Sequence, residues 1–254
     1  MKLIVRADDL GLTEGVNHGI HKSIKDGIVT STGLMTNMID AQGGYDLVKE
    51  FKHISVGQHS NASIGKPCSN PSKIASMVDK YGNFISSKKH HAAFNEGIDL
   101  ITFEDAVREV EAQLDRFREI TGIDPRYFDR HAIESENLDK AIEYVANKNN
   151  IVYMPFMKSI TTKDVHCKFA KLPKMSQDSL YDPFSYILND EAEILNSDLA
   201  MIAVHPGYVD QKLLEVSSYN MIRPLEVKVL TSIEVKDWIK KNNIELINCD
   251  IFKS

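Results

Sequence analysis

Short apolar runs that end in acidic residues or histidine alternate with amphipathic helical segments along the whole sequence. The first run, residues 3–7, leads directly into Asp8 and Asp9, and Gly11 then turns the chain. Later strand-like runs lead into His59, Asp129, His131 and His205. Because the carboxyl ends of parallel strands converge in α/β proteins, this alternation predicts an α/β fold in which these polar residues share one mouth.

No linker-like stretch and no internal repeat interrupts the alternation, so we predict a single domain over residues 1–254. A mainly parallel sheet closed into a barrel or near-barrel is the expected architecture, and an open doubly wound sheet is the alternative. Residues 62–99 break the pattern with two prolines and the pair His90–His91. We interpret them as an insertion after the third strand, of the kind that forms a wall or lid. Adjacent loop histidines are more often solvated than bound to metal.

Hydrophobic periodicity predicts the individual elements. The clearest helix spans residues 102–121, where Thr102 stands at the N-cap and an apolar stripe follows. Further helices are predicted over residues 137–148 with Asn137 as the cap, over 179–195, and over 223–238 with a break near Ser232. Strands are predicted over residues 3–7, 28–38, 54–57, 126–132, 151–154, 169–172, 199–204 and 245–248, and a loop over 209–221.

Composition narrows the classes of partner. The formal net charge is −6 and no basic cluster stands out, which argues against nucleic acid or an anionic membrane as the main partner. The N-terminal apolar run is too short for a signal sequence, and no run approaches membrane-spanning length. Cys68, Cys167 and Cys249 are scattered and odd in number, so no disulfide framework is expected. These features together predict a protein of the reducing cytoplasm.

The residues at the strand ends suit metal-assisted hydrolysis. One aspartate and two imidazoles can bind a divalent metal and leave positions open for water and substrate. A second aspartate could accept the proton of the attacking water, and a further histidine could protonate the leaving group. Each residue also has a structural interpretation: Asp8 and Asp9 as a strand-end turn, His59 as a loop contact, His131 as an interior histidine and His205 as part of a turn. The joint pattern favours the functional interpretation.

Several segments resemble those of the YdjC-like carbohydrate deacetylases, which include chitooligosaccharide deacetylase. The similar segments, in matching order, are residues 7–11 with Asn17 and Gly19 after them, 56–61, 128–131, 205–208 and 218–226. The resemblance implies a single-domain distorted (β/α) barrel of the polysaccharide-deacetylase type. It also implies a divalent metal, Mg²⁺ or Zn²⁺, and hydrolysis of an N-acetyl group on an amino sugar.

Carried over position by position, the resemblance assigns roles to individual residues. Asp9, His59 and His131 would be the metal ligands, Asp8 the general base and His205 the general acid. Residues expected to contact the substrate or to orient the ligands are Asp129, Arg130, Asn61, Tyr208 and Arg223.

The sequence departs from the family pattern beside two of the proposed ligands. Gln58 and Ser60 flank His59 where the family usually has leucine, and Ala132–Ile133–Glu134 follow His131 where further histidines are common. We therefore expect the metal site to be kept and the substrate-side contacts to differ. Glu134 is a candidate for a polar role near the sugar.

The leading hypothesis is a metal-dependent N-deacetylase that acts on a small acetylated amino sugar or chitooligosaccharide, with a homodimer as a possible assembly. Two alternatives stay open. The altered segment after His131 suggests a non-catalytic carbohydrate-binding protein on the same fold. A metal-dependent phosphoesterase is the other, in which Arg130 and Arg223 would grip one phosphate.

Overall fold

The computed structural model describes residues 1–173 and 181–253 of the chain. Within these residues the strands are β1 (Lys2–Leu10), β2 (Ser31–Leu34), β3 (Ser55–Ser60), β4 (Tyr127–Arg130), β5 (Val152–Tyr153), β6 (Ile160–Thr161), β7 (His166–Phe169), β8 (Leu199–Val204) and β9 (Glu245–Leu246). The helices are α1 (Glu14–Lys25), α2 (Ala41–Val48), α3 (Ser87–Asn95), α4 (Phe103–Thr121), α5 (Glu136–Lys148), α6 (Pro183–Leu188), α7 (Gln211–Val216), α8 (Arg223–Thr231) and α9 (Ile233–Lys241). In these two ranges, no helix combines the length and the apolar character needed to cross a membrane.

The strands form one curled sheet in the order β5-β4-β3-β2-β1-β8-β7-β6, and β9 pairs with the start of β1. Pairing is parallel throughout except between β6 and β7. The order has two ends, so the sheet is an open half-barrel. The predicted single-domain α/β fold of the distorted-barrel type is confirmed.

Side-chain alternation along β1 separates the hydrophobic core from the site. Leu3, Val5 and Ala7 pack outward into the core cluster that includes residues of α1 and α8. Ile4 points to the opposite side, into a smaller cluster inside the half-barrel. Because alternate residues of a strand share a face, Arg6 and Asp8 follow Ile4 on the inner side. The apolar base of the half-barrel thus gives way to charged groups toward the carboxyl ends of the strands.

Several predicted strands have other limits in the structure, including the one predicted over 126–132, which is β4 and ends before His131. The first continues to Leu10, three residues beyond its predicted end, because Leu10 still pairs with Leu34 after an irregularity in the register. The second is shorter than residues 28–38 and covers only β2. The strand predicted over 169–172 begins earlier, because β7 spans His166–Phe169. Runs of β-branched and apolar residues therefore located the strands but not their ends.

Capping side chains explain most differences among the helices. The Ser135 hydroxyl accepts a hydrogen bond from the Leu138 amide at 3.0 Å, so α5 begins before the predicted cap at Asn137. Asp210 caps α7 in the same way, within the predicted loop of residues 209–221. The predicted helix over 179–195 contains only α6, and residues 179 and 180 lie outside the described residues. The helix over 102–121 and the break at Ser232 are confirmed.

The connection between β3 and α4 contains α3 and a short 3-10 helix at Pro71–Lys73. Ile74, Met77 and Phe84 from this connection are buried against α4 and α5. His90 is also buried, whereas the His91 imidazole is half-exposed and hydrogen-bonds the Glu134 carboxylate at 2.6 Å. Residues 62–99 therefore form a packed wall beside the carboxyl ends of the strands.

Gly19 lets α1 lie directly against the segment that follows β8. A Cβ atom at Gly19 would stand 2.3 Å from the Gly207 Cα atom, and its three nearest atoms all belong to the Gly207 backbone. We expect Gly19→Ala to lower the free energy of unfolding by about 1–3 kcal/mol, the usual cost of overpacking. It should also lower activity, because Gly207 is two residues from His205. Chemical denaturation measures the first effect. Gly43→Ala in α2 is the control, since nothing lies within 4 Å of its added Cβ, and an unchanged Gly19→Ala protein would contradict this packing.

Candidate metal centre and active site

Three side chains from separate strand ends converge at the mouth of the half-barrel. The Asp9 Oδ1 atom lies 2.9 Å from His131 Nδ1 and 3.4 Å from His59 Nε2, and the two imidazole nitrogens are 3.2 Å apart. All three residues are buried. They form a possible metal-binding cluster that joins Asp9, near the start of the sequence, to His59 and to the much later His131.

A break in backbone conformation brings Asp9 to this cluster. Adjacent residues of a regular strand point to opposite faces, so Asp8 and Asp9 would normally be separated. Asp9 instead has a φ of +74°, in the left-handed region that non-glycine residues seldom adopt. The register of β1 against β2 shifts at the same place. As a result both aspartates line one cavity.

His59 is held in place from both sides. Its ring packs over Gly33 of β2, where an added Cβ atom would stand 3.0 Å from the His59 Cβ. Its Nδ1 atom lies 2.9 Å from Asp129 Oδ1, which leaves Nε2 to face Asp9. Burial disfavours the charged imidazole, but the Asp129 and Asp8 carboxylates outweigh it and raise the pKa of His59 well above its usual value. A carboxylate behind a metal-binding histidine fixes its orientation and strengthens it as a ligand.

The donor set fits a divalent cation. Among the described residues Asp9 Oδ1 accepts no well-aligned hydrogen bond, although it is buried and both imidazole nitrogens are close. Ligands arranged tetrahedrally around Zn²⁺ at about 2.0–2.1 Å lie about 3.3 Å from one another, similar to the three separations here. Two imidazoles and one carboxylate suit Zn²⁺ and related transition metals better than an all-oxygen site does.

Arg223 holds the other oxygen of the Asp9 carboxylate. Its Nη2 atom lies 2.6 Å from Asp9 Oδ2, and the guanidinium is 2% exposed. Burial favours the neutral form of Asp9, but His131 and Arg223 outweigh it and hold the pKa of this carboxyl well below its usual range. The Asp9 carboxylate is thereby kept ionised, and its Oδ1 atom is turned toward the two imidazoles.

Asp8 is fixed by Arg6, its neighbour on the inner face of β1. Arg6 Nε donates to Asp8 Oδ1 at 2.7 Å and Nη2 donates to Asp8 Oδ2 at 2.8 Å, a bidentate pair. The remaining Nη1 atom lies 3.1 Å from Asp129 Oδ2. Arg6 therefore joins Asp8 to the carboxylate that supports His59.

His205 follows β8 and is positioned by a buried network. Its backbone N–H donates to the Glu226 carboxylate at 2.5 Å, and its carbonyl accepts from Arg223 Nη1 at 3.3 Å. The Tyr219 ring lies 5.0 Å from the imidazole, and the Tyr219 hydroxyl donates to Glu226 at 2.8 Å. Tyr181 donates to the same carboxylate. Burial, with Glu226 nearby, raises the pKa of both tyrosines, so they act as hydrogen-bond donors.

Asp8, Asp9, His59, His131 and His205 all line one cavity of about 320 Å³. Its lining mixes polar and apolar side chains. The polar group includes Ser63, Ser87, His91, Arg130 and Ser218, and the apolar group includes Ile64, Phe156, Met157, Phe169, Leu172 and Val216. A concave site with a few convergent charged groups is typical of small-molecule binding.

Comparison with known proteins places this arrangement in a family. Residues 2–241 match the family model described as YdjC-like protein. The chain belongs to the YdjC-like family. A carbohydrate deacetylase 2 of Listeria innocua is 31% identical over 98% of this chain and 97% of its own length. A carbohydrate deacetylase of Clostridium beijerinckii is 32% identical over 98% of both chains. The crystal structure of a candidate cellobiose-phosphate cleavage protein from Enterococcus faecalis superposes with a TM-score of 0.84 at 26% identity, covering 100% and 99% of the two chains.

Not every residue singled out from the sequence lies in the cavity of this YdjC-like chain. Asn61 instead organises its own loop, where its side-chain Oδ1 atom accepts from the Ser63 backbone N–H at 3.0 Å. Tyr208 lies in a separate surface hollow with His18, His21 and Asp210. Arg130 does line the cavity, with its guanidinium 4.2 Å from the Phe156 ring and 3.3 Å from Asp139.

Sequence reasoning missed four residues that shape the site: Arg6, Gly33, Tyr219 and Glu226. Arg6 had a usable signal, because residues i and i+2 of a strand share a face and Arg6 therefore accompanies Asp8. Tyr219 and Glu226 stood in a segment noted only for its family resemblance. Nothing local in the sequence marked Gly33, whose importance comes from a neighbouring strand.

Proposed function

We propose that this YdjC-like protein is a metal-dependent carbohydrate deacetylase that hydrolyses the N-acetyl group of a small amino sugar or chitooligosaccharide and releases acetate. The observation that carries the proposal is the cluster of Asp9, His59 and His131 with Asp8 and His205 in one cavity. The names of the relatives support the reaction class. Zn²⁺ is the metal that the two imidazoles favour, with Mg²⁺ as the alternative.

Each group has a distinct task in this reaction. Asp9, His59 and His131 would hold a divalent ion, which would supply Lewis-acid polarisation of the amide carbonyl and a lowered pKa of water. The Asp8 carboxylate takes a proton from the attacking water, while Arg6 keeps it oriented through two hydrogen bonds. His205 gives a proton to the amine nitrogen as the C–N bond breaks. The water oxygen ends in acetate, and the free amine stays on the sugar.

The surroundings of the two arginines disfavour the phosphoesterase alternative. Arg223 is buried and already contacts Asp9, the Tyr219 carbonyl and the His205 carbonyl. Arg130 contacts Asp139 and the Ser135 carbonyl. The Arg223 guanidinium could therefore bind a phosphate only by giving up these partners, and Arg130 is already paired with Asp139.

Acetate release from a panel of N-acetylated mono- and oligosaccharides, measured with and without chelator, tests the proposal. We expect release that chelation abolishes and added Zn²⁺ restores. If the protein bound the sugar but released no acetate with any added metal ion, the carbohydrate-binding alternative would be favoured instead. Phosphate release from a phosphomonoester, with no acetate release, would favour the phosphoesterase.

Tyr219 is expected to assist catalysis by holding its ring against the His205 imidazole, in an orientation that its hydroxyl fixes through the hydrogen bond to Glu226. Tyr219→Phe removes one hydrogen bond to Glu226, worth about 0.5–1.5 kcal/mol, and should lower kcat by about two- to tenfold. Tyr181→Phe is the matched control, because it also removes a hydroxyl that donates to the Glu226 carboxylate. The ring that lies near His205 belongs to Tyr219, so the control leaves that ring unchanged. Steady-state kinetics should separate the two variants. Equal losses of kcat in both would show that Glu226, and not the position of Tyr219, controls the effect.

A further inference from the structure

A second set of metal-type ligands lies directly beside the first. Asp8, Asp129 and His59 bring ligand atoms within 4.8 Å of one another, and all three side chains are buried. Two carboxylates and an imidazole at this separation would attract a divalent cation. Some hydrolases hold two metal ions in neighbouring sites.

The guanidinium of Arg6 contacts both carboxylates of this second set. It is bound to both oxygens of Asp8 at 2.7 and 2.8 Å, and its third nitrogen lies 3.1 Å from Asp129. The Arg6 side chain is 8% exposed, so water screens these contacts little. An arginine in a protein stays protonated. The position between the two carboxylates therefore carries a permanent positive charge.

The charges of the site divide into two groups. Asp9 faces the cluster of imidazoles and is backed by Arg223. Asp8 and Asp129 share Arg6, whose guanidinium contacts both carboxylates. One cation position is thus left for an ion at Asp9, His59 and His131, and the other is filled by the protein itself.

We infer that Arg6 is a built-in cation that takes the place of a second metal ion, so that the centre binds one divalent ion and holds Asp8 in a fixed orientation beside it. The inference rests on the proposed metal centre. Loss of the Arg6 charge should leave Asp8 and Asp129 free to bind a second ion together with His59.

Metal stoichiometry tests the inference without relying on activity. Purified wild-type protein, Arg6→Gln and Arg6→Lys are titrated with Zn²⁺ by calorimetry, and bound metal is counted by elemental analysis after gel filtration. We expect one ion per chain in the wild type and in Arg6→Lys, which keeps the charge. Arg6→Gln, which can donate to only part of the same carboxylate pair, should bind two.

The metal counts distinguish failure of this inference from failure of the proposed metal centre or of the deacetylase assignment. One ion in folded Arg6→Gln, or two in the wild type, would overturn the inference, and the wild-type count applies even where a variant does not fold. Wild-type protein that binds no ion would overturn the metal centre as well. Counts of one and two in protein that releases no acetate would leave this inference standing and remove only the deacetylase assignment.

Discussion

Replacing His131 by alanine is expected to remove the bound metal ion and nearly all deacetylase activity. His131 supplies one of three donor atoms, and the remaining pair, Asp9 and His59, would bind a cation far more weakly. A metal ion contributes several kcal/mol to the transition state, and each 1.36 kcal/mol is a factor of ten in rate, so a loss of about 10³-fold or more is expected. Metal content and acetate release, measured on the same preparation, check both parts.

His91→Ala is the matched control for metal binding. His91 also lines the cavity, but its Nδ1 atom hydrogen-bonds Glu134 and it does not belong to the metal-type cluster. We expect this variant to keep the full metal content. If His131→Ala retained its metal while His91→Ala lost it, the ligand assignment would be wrong.

Replacing Asp8 by asparagine should abolish proton transfer while leaving the metal in place. Asparagine keeps the shape of the side chain but cannot accept the proton of the attacking water. Loss of a general base costs about 10²–10⁴-fold in rate, so kcat should fall by that amount with KM little changed. The ligands Asp9, His59 and His131 are untouched, which predicts unchanged metal content.

Thermal unfolding and metal analysis accompany this measurement. Arg6 keeps Asp129 as a partner when Asp8 is neutral, so the variant should fold. Near wild-type turnover in metal-loaded Asp8→Asn would exclude Asp8 as the base. A large fall in metal content would instead show that Asp8 acts as a ligand.

Alternation of apolar runs and amphipathic segments was sufficient to predict an α/β fold with a mainly parallel sheet, and the family resemblance supplied the distorted barrel. Parallel strands that end in Asp or His must bring those ends together once helices cover the outer face. The limits of the elements were less predictable, because single capping contacts decide them. Ser135 and Asp210 each start a helix at a place where apolar periodicity alone gave no boundary.

The candidate site was predictable in its residue types and not in its geometry. Sequence reasoning placed Asp9, His59 and His131 together, and the structure brings their donor atoms within 4.8 Å. The rule of strand alternation separated Asp8 from Asp9, and only the positive φ of Asp9 reunites them. Such a conformation depends on the surrounding fold and leaves no mark in the local sequence, and the same is true of the contact between Gly33 and His59.

Anomalous diffraction from crystals grown with Zn²⁺ tests the metal centre most directly. The account predicts one strong peak about 2.0–2.2 Å from Asp9 Oδ1, His59 Nε2 and His131 Nδ1, the usual range for zinc bound to oxygen and nitrogen. A map with no peak at this position, from protein that releases acetate in the same metal, would contradict it.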